Sequence, residues 1–285
     1  MRFHRLSAAF IALAAVTACK GDQHPGATVN NAPPLAYVRF FNAVPDSLPF
    51  DFREIDRIQY ATPFLAVPFR AEGLGNYLGY QAGANHIRIF PNSTDLVTTS
   101  TIIQDTTVTL TAGTYYTFIE SGYMRSGSVP TRSLTMLTDA NAVPSSGVSY
   151  RVINVGPDLG NVDVYVTTNP GDPLPATATF ANVPFRGVTS PVNAGTGPMT
   201  ARIFKAGTTT PVLATSTAPP GSVTTICGLT NIGGSTMAGT VMTIMVYGSA
   251  VAGSPAAVAG GSGANLTPGA VWWIDVSSQT VTVNC

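Results

Sequence analysis

The chain has 285 residues, enough for two domains of ordinary size. Only 10% of them are charged, 14 basic against 14 acidic, which excludes the basic footprint of a nucleic-acid binder. Gly (28) and Pro (22) are abundant and Thr, Val and Ser recur, a mixture that suits short strands with many turns and excludes a layout of long exposed helices.

Arg2, His4 and Arg5 form a positive head, Leu6 to Val16 is apolar, and Val16-Thr17-Ala18-Cys19 closes the segment with small residues before a cysteine. This is the plan of a signal peptide, read over residues 1–18. The last four residues resemble the lipobox of bacterial lipoproteins, in which the cysteine thiol receives diacylglycerol and becomes the new N-terminus. Cys19 is therefore the expected lipidation site, and the processed form keeps 12 basic against 14 acidic side chains. Two or more acyl chains, at about 0.8 kcal/mol per buried methylene, make a lasting anchor. Residues 19–35 have no apolar period and read as a lipidated cysteine followed by a flexible tether. Lys20, where an aspartate would favour the inner membrane, makes the outer membrane the expected location in the cell envelope, with the membrane as a partner through the anchor.

Beyond the tether the chain repeats itself. Arg39-Phe-Phe-Asn-Ala-Val-Pro-Asp46 aligns with Arg151-Val-Ile-Asn-Val-Gly-Pro-Asp158 at an offset of 112, which also superposes Asp51 on Asp163. Val67-Pro-Phe-Arg70 matches Val183-Pro-Phe-Arg186 at 116, and Ile87-Arg-Ile-Phe90 matches Ala201-Arg-Ile-Phe204 at 114. Four ordered matches with slowly drifting spacing imply duplication, with one copy over 36–139, a joint over 140–147 and a second copy over 148–285.

Within each copy the apolar residues alternate over short spans, as in His86-Ile-Arg-Ile-Phe90, Thr107-Val-Thr-Leu110, Val162-Asp-Val-Tyr-Val166 and Val281-Thr-Val283. Such alternation places one face of a strand in a core and the other toward water. Turn residues such as Pro45-Asp46, Ala112-Gly113, Pro157-Asp158 and Pro220-Gly221 punctuate the runs. The expectation is an all-β chain of two tandem immunoglobulin-like β-sandwich domains. Val241 to Tyr247 reads as a buried strand followed by a loop, since Gly248, Ser249, Gly253, Ser254 and Pro255 break the apolar stretch before it reaches membrane-spanning length.

The repeated unit resembles the DUF4397 family of exported proteins. Arg151-Val-Ile-Asn-Val-Gly-Pro-Asp158, Val162-Asp-Val-Tyr165 and the two Val-Pro-Phe segments carry the likeness, with Ala112-Gly-Thr-Tyr-Tyr-Thr117 as the late strand of the first copy. The first copy departs with Phe50-Asp-Phe-Arg53. The second carries a Gly/Ala-rich insertion around Gly248 to Gly263 and lacks a clean Tyr-Tyr strand. The resemblance implies a β-sandwich at the cell surface and no particular activity.

With Cys19 lipidated, Cys227 and Cys285 remain as a pair in an oxidising compartment, and a disulfide is their natural use. Closing that loop of 58 positions would stabilise the second copy by about 4 kcal/mol in the chain-entropy model. Histidine is scarce: only His86 lies in a repeated unit, where it reads as a solvent-facing strand residue. No Gly-x-Ser-x-Gly elbow, phosphate-binding loop or zinc ligand set accompanies it, and nothing asks for a cofactor or a metal.

Two carboxylates suffice for glycoside hydrolysis, so Asp46 with Asp51 and Asp158 with Asp163 are the candidate acid pairs. Their recurrence in both copies favours a structural role, as turn aspartates bonded to backbone N–H groups and paired with Arg39 and Arg151. Outward-facing members of the pairs Tyr115-Tyr116 and Trp272-Trp273 are the candidate ligand contacts, and strand geometry sends the other member of each pair inward. The expected function is a non-catalytic envelope lipoprotein, a binding or structural module for a surface polysaccharide or protein. The alternative is a glycan-acting hydrolase using an aspartate pair.

Overall fold

A computed structural model describes residues 33–56, 64–73, 77–223, 231–258 and 265–277. The Cys19, Cys227 and Cys285 assignments, and the strand expected at Val281–Val283, lie outside the described residues.

Among the described residues, nine strands lie in the first half of the repeat region: β1 (Leu35–Ala43), β2 (Phe50–Glu54), β3 (Phe64–Val67), β4 (Ala71–Glu72), β5 (Leu78–Gln81), β6 (Gly83–Pro91), β7 (Gln104–Leu110), β8 (Tyr115–Ser121) and β9 (Ser133–Asp139), with a single-turn helix α1 (Leu96–Thr99) before β7. They form two sheets. In one, β1 is central, parallel to β8 and antiparallel to β4 and β5, and β9 closes the far edge. In the other the order is β3-β2-β6-β7. Phe40, Phe52, Phe64, Tyr80 and Phe118 interlock between the sheets, with Phe40 stacked on Phe52 at 4.9 Å between centroids.

The second half repeats that plan with β10 (Val148–Asn154), β11 (Val162–Thr167), β12 (Phe180–Val183), β13 (Val192–Ala194), β14 (Thr200–Lys205), β15 (Ala214–Thr217), β16 (Val241–Tyr247) and β17 (Gly269–Val276), and a short helix α2 (Pro255–Val258) before β17. The sheet orders are β13-β10-β16-β17 and β12-β11-β14-β15, and β10 runs parallel to β16 as β1 does to β8. This core is mainly aliphatic, with Val152, Val162, Val164, Ile203 and Ile244 in contact. Fully buried β16 occupies the place held in the first half by β8, the Tyr-Tyr strand. The second half therefore has that strand, with Val241 and Met242 in the places of Tyr115 and Tyr116.

Strict alternation would send one face of each strand to water, and the central strands depart from it. On β1 Val38 and Phe40 enter the first core, while Phe41 and Ala43, on the opposite face, join a third cluster with Phe69, Ile119, Ile153, Val155, Met245 and Tyr247. The sheets containing β1 and β10 cover each other across this cluster, and the described residues from Pro34 onward pack as one unit. Strands covered on both faces read as continuous apolar runs, which removes the polar half of the period.

Candidate functional site

The recurring residues perform matching tasks in the two halves. Asn42 on β1 donates through Nδ2 to the Val67 carbonyl (3.0 Å) and accepts from the Val44 N–H; Asn154 on β10 repeats this with Val183 (3.0 Å) and Gly156. Asp51 Oδ1 accepts from the Ala66 N–H (2.9 Å), and Asp163 Oδ1 from the Asn182 N–H (2.7 Å). Ala66 and Asn182 each occupy the third position of a short edge strand at φ of 52° and 55°. Left-handed backbone costs a non-glycine residue about 1–2 kcal/mol, and the aspartate's charge-assisted hydrogen bond offsets that cost. Asp51 also accepts from Asn92 and Arg53, and Asp163 from the Gly207 N–H. Asp46 accepts from the Met124 and Arg125 backbone, and Asp158 from the Ser249 N–H, so each pins the loop that follows the parallel strand of its own half.

Arg39 and Arg151 do not pair with these aspartates. Both project from the face away from their own core, into the contact between the halves. Arg39 Nη1 lies 2.8 Å from Asp275 Oδ1, and Arg151 Nη2 bonds Asp139, so each arginine of one half meets the aspartate near the end of β17 or β9 in the other. A threonine mediates both times. Arg39 Nε donates to Thr117 Oγ1 (2.7 Å), which donates to Asp139 (2.5 Å); Arg151 Nε donates to Thr243 Oγ1 (3.0 Å), which donates to Asp275 (2.6 Å). Tyr77 adds a hydrogen bond to Asp139 (2.8 Å) and lies beneath the Arg39 guanidinium. Arg39 has no exposed surface. Burial pulls its pKa down, and the carboxylates of Asp275 and Asp139 with Tyr77 and Glu72 outweigh that, leaving it firmly charged.

A second reciprocal pair flanks this lattice. Arg70 and Arg186, the last residues of the two Val-Pro-Phe-Arg segments, both stand at positive φ and over the ring of the preceding phenylalanine. Arg70 donates to the carbonyls of Gly248 (2.6 Å), Asn265 and Thr267 in the second half. Arg186 donates to Ser121 (2.7 Å to its carbonyl) and Thr131 in the first. Beside Arg186 the contact leaves a shallow niche lined by Ile119, Ser121, Leu137, Ile153, Val155 and Val188. Glu120, fully buried on β8, is held by Arg132 at 3.1 Å, and burial pushes its carboxyl up to about 7 despite Arg132 and Arg186.

The aromatic pairs divide as strand geometry requires. Trp272 is buried in the second core, donating to the Ser216 carbonyl (3.0 Å), and Tyr116 is buried in the first, its hydroxyl accepting from the Thr111 N–H. The outward members do not form an open platform: Trp273 packs edge-on against Phe41 of the other half, and Tyr115 is stacked on Tyr37 at 4.7 Å and against Tyr77. His86 is part-exposed on the outer face of β6, 2.5 Å from Asp105, and that hydrogen bond raises the imidazole pKa and lowers the carboxyl's. Among the described residues no cluster of three His, Cys, Asp or Glu side chains could hold a metal, and no helix is long and apolar enough to cross a membrane.

The residues that sequence reasoning missed are Thr117, Asp139, Thr243 and Asp275. Their signal was present, a threonine on the late strand and an aspartate near the end of the next, but the second half has more chain between the two and breaks the constant offset. Residues 36–165 match the family model described as a domain of unknown function (DUF4397). No curated protein matches the chain.

Proposed function

We propose that the chain is a non-catalytic lipoprotein of the cell envelope. It is anchored through Cys19 and carries two tandem DUF4397-type units as a rigid module for a surface polysaccharide or protein partner. The observation that carries this reading is the state of the four repeated acids. Asp46 and Asp158, in turns, accept backbone N–H groups of the loops after the parallel strands, and Asp51 and Asp163, on β2 and β11, accept them from the edge strands β3 and β12; a carboxylate bonded to the same piece of backbone in both halves serves the fold and not one cleft. Tandem duplication is supported by the matched sheet orders and by the reciprocal Arg39/Asp275 and Arg151/Asp139 contacts, the pattern of a two-fold interface between like units. The anchor rests on the positive head, the apolar segment and the small residues before Cys19.

Two experiments test the reading. Mass spectrometry of the N-terminal peptide from the membrane fraction is expected to find it beginning at an acylated Cys19, with the Cys19→Ala chain released to the soluble fraction; an unacylated wild-type chain would refute the anchor. The mature chain lacking Cys19 is then sedimented with insoluble cell-wall and extracellular polysaccharides, and reducing ends are assayed in parallel. Saturable binding without new reducing ends identifies a polysaccharide module, and no binding leaves a protein partner or a structural role. Release of reducing ends that is abolished in Asp51→Asn or Asp163→Asn would overturn the non-catalytic assignment.

A further inference from the structure

The two-fold relation between the halves fails at one position in a chemically specific way. Glu72, on β4, lies opposite Phe41 of β1; the corresponding residue after the second Val-Pro-Phe-Arg is Val188, opposite Ile153 of β10. The fold thus accepts an aliphatic side chain here, and one half alone carries an acid. Glu72 points into the contact between the halves, where Arg39 of β1, Tyr247 of β16 and Asp275 of β17 surround it. Arg70 stands two residues before it, and Tyr77 and Asp139 act on Arg39 together with Asp275. Its Oε1 is buried without a hydrogen bond, and so is Nη2 of Arg39, while Nη1 meets Asp275 Oδ1 as an ion pair without hydrogen-bond geometry. These are the two ends of an ion pair that is not made while Arg39 serves Asp275 and Thr117.

We propose that Glu72 is a proton-controlled latch between the two halves: protonated, it leaves Arg39 to Asp275 and the contact is locked; ionised, it competes for Arg39, repels Asp275 and loosens that side. Burial, opposed by Arg39 and aided by Asp275, raises its carboxyl from 4.5 to about 7. A raised acid stabilises the locked state fully below the unlocked value, and that contribution is lost as pH rises through 7, an effect on the locking equilibrium of at most about 300-fold. Because Glu72 is only partly covered as a whole residue, it exchanges its proton without global unfolding.

Hydrogen exchange of the full chain between pH 5.5 and 8.5, corrected for intrinsic rates and read on peptides over β4 and β17, tests the latch. In the wild type, protection is expected to fall by roughly tenfold or more across the window. Glu72→Gln and Glu72→Val, the latter being the side chain used at the equivalent position, remove most of that fall on these two peptides, whereas Glu120→Gln leaves most of it in place there. Wild-type protection that does not change with pH overturns the proposal by itself, whether or not the variants fold. A fall on these peptides as large in either Glu72 variant as in the wild type overturns it as well.

Discussion

Replacing Arg39 with methionine, a side chain of similar reach and no charge, is expected to be the most damaging single change at the contact between the halves. Arg39 has no exposed surface, sits 2.8 Å from Asp275, donates to Thr117 and lies over the rings of Phe41 and Tyr77 at 5.1 and 4.6 Å. The substitution strands Asp275, whose side chain is 1% exposed, with the Thr243 hydroxyl and a longer 3.8 Å approach from Arg151. Removing one partner of a buried pair costs about 3–5 kcal/mol. The cover that Arg151 supplies places the expectation near the lower end, about 3 kcal/mol. The double variant Arg39→Met/Asp275→Leu removes the stranded charge as well, and exchanging a whole buried pair for apolar groups is often neutral, so its cost should fall to about 1 kcal/mol or less. Guanidinium unfolding followed by tryptophan fluorescence, which reports β17, and by far-UV circular dichroism, which reports every strand, measures both variants. A single-variant cost below about 1 kcal/mol, or a double variant as unstable as the single, would refute the view that burial of an uncompensated carboxylate governs this contact.

Arg151→Met should cost less than Arg39→Met in the same assay, because its side chain keeps 12% exposure and water softens the loss. Thr117→Val and Thr243→Val keep the side-chain shape but delete a hydroxyl that accepts from an arginine and donates to an aspartate; each should cost about 1–3 kcal/mol. Asp163→Ala removes the acceptor for the Asn182 and Gly207 N–H groups and should destabilise by about 2–4 kcal/mol in chemical unfolding, while leaving polysaccharide binding by the folded fraction unchanged. Thermal scans should give a higher Tm at pH 5 than at pH 8. Glu72 and Glu120 are both raised from 4.5 to about 7, so the folded chain holds protons the unfolded chain releases, and this stabilisation fades as pH rises through 7. His86, raised by Asp105, acts in the same direction, and Glu120→Gln should remove part of the slope.

Much of the fold was legible from local pattern. The alternating runs at His86–Phe90, Thr107–Leu110 and Val162–Val166 are strands, Val241–Tyr247 is a buried one, and the Pro-Asp turns fall where the repeat places them. These are consequences of the two-residue period of a pleated strand and of turn chemistry, which need no knowledge of distant neighbours. The inward members of the Tyr115-Tyr116 and Trp272-Trp273 pairs follow from the same geometry, and Tyr116 and Trp272 are indeed core.

The partners of the arginines could not be read that way. Asp46 and Asp51 are close to Arg39 in sequence, yet Asp51 belongs to the other sheet and turns its carboxylate to the Ala66 backbone. Thr117 is the register partner of Arg39 because β1 and β8 run parallel, and Asp275 arrives from β17 of the second half. Nor does the sequence distinguish Glu72 from an ordinary solvent-facing acid at a strand end. The chain by itself determined which residues alternate, turn and recur. Which carboxylate meets which guanidinium was decided only when two sheet faces closed on each other, because burial strengthens a charge pair only where tertiary packing excludes water.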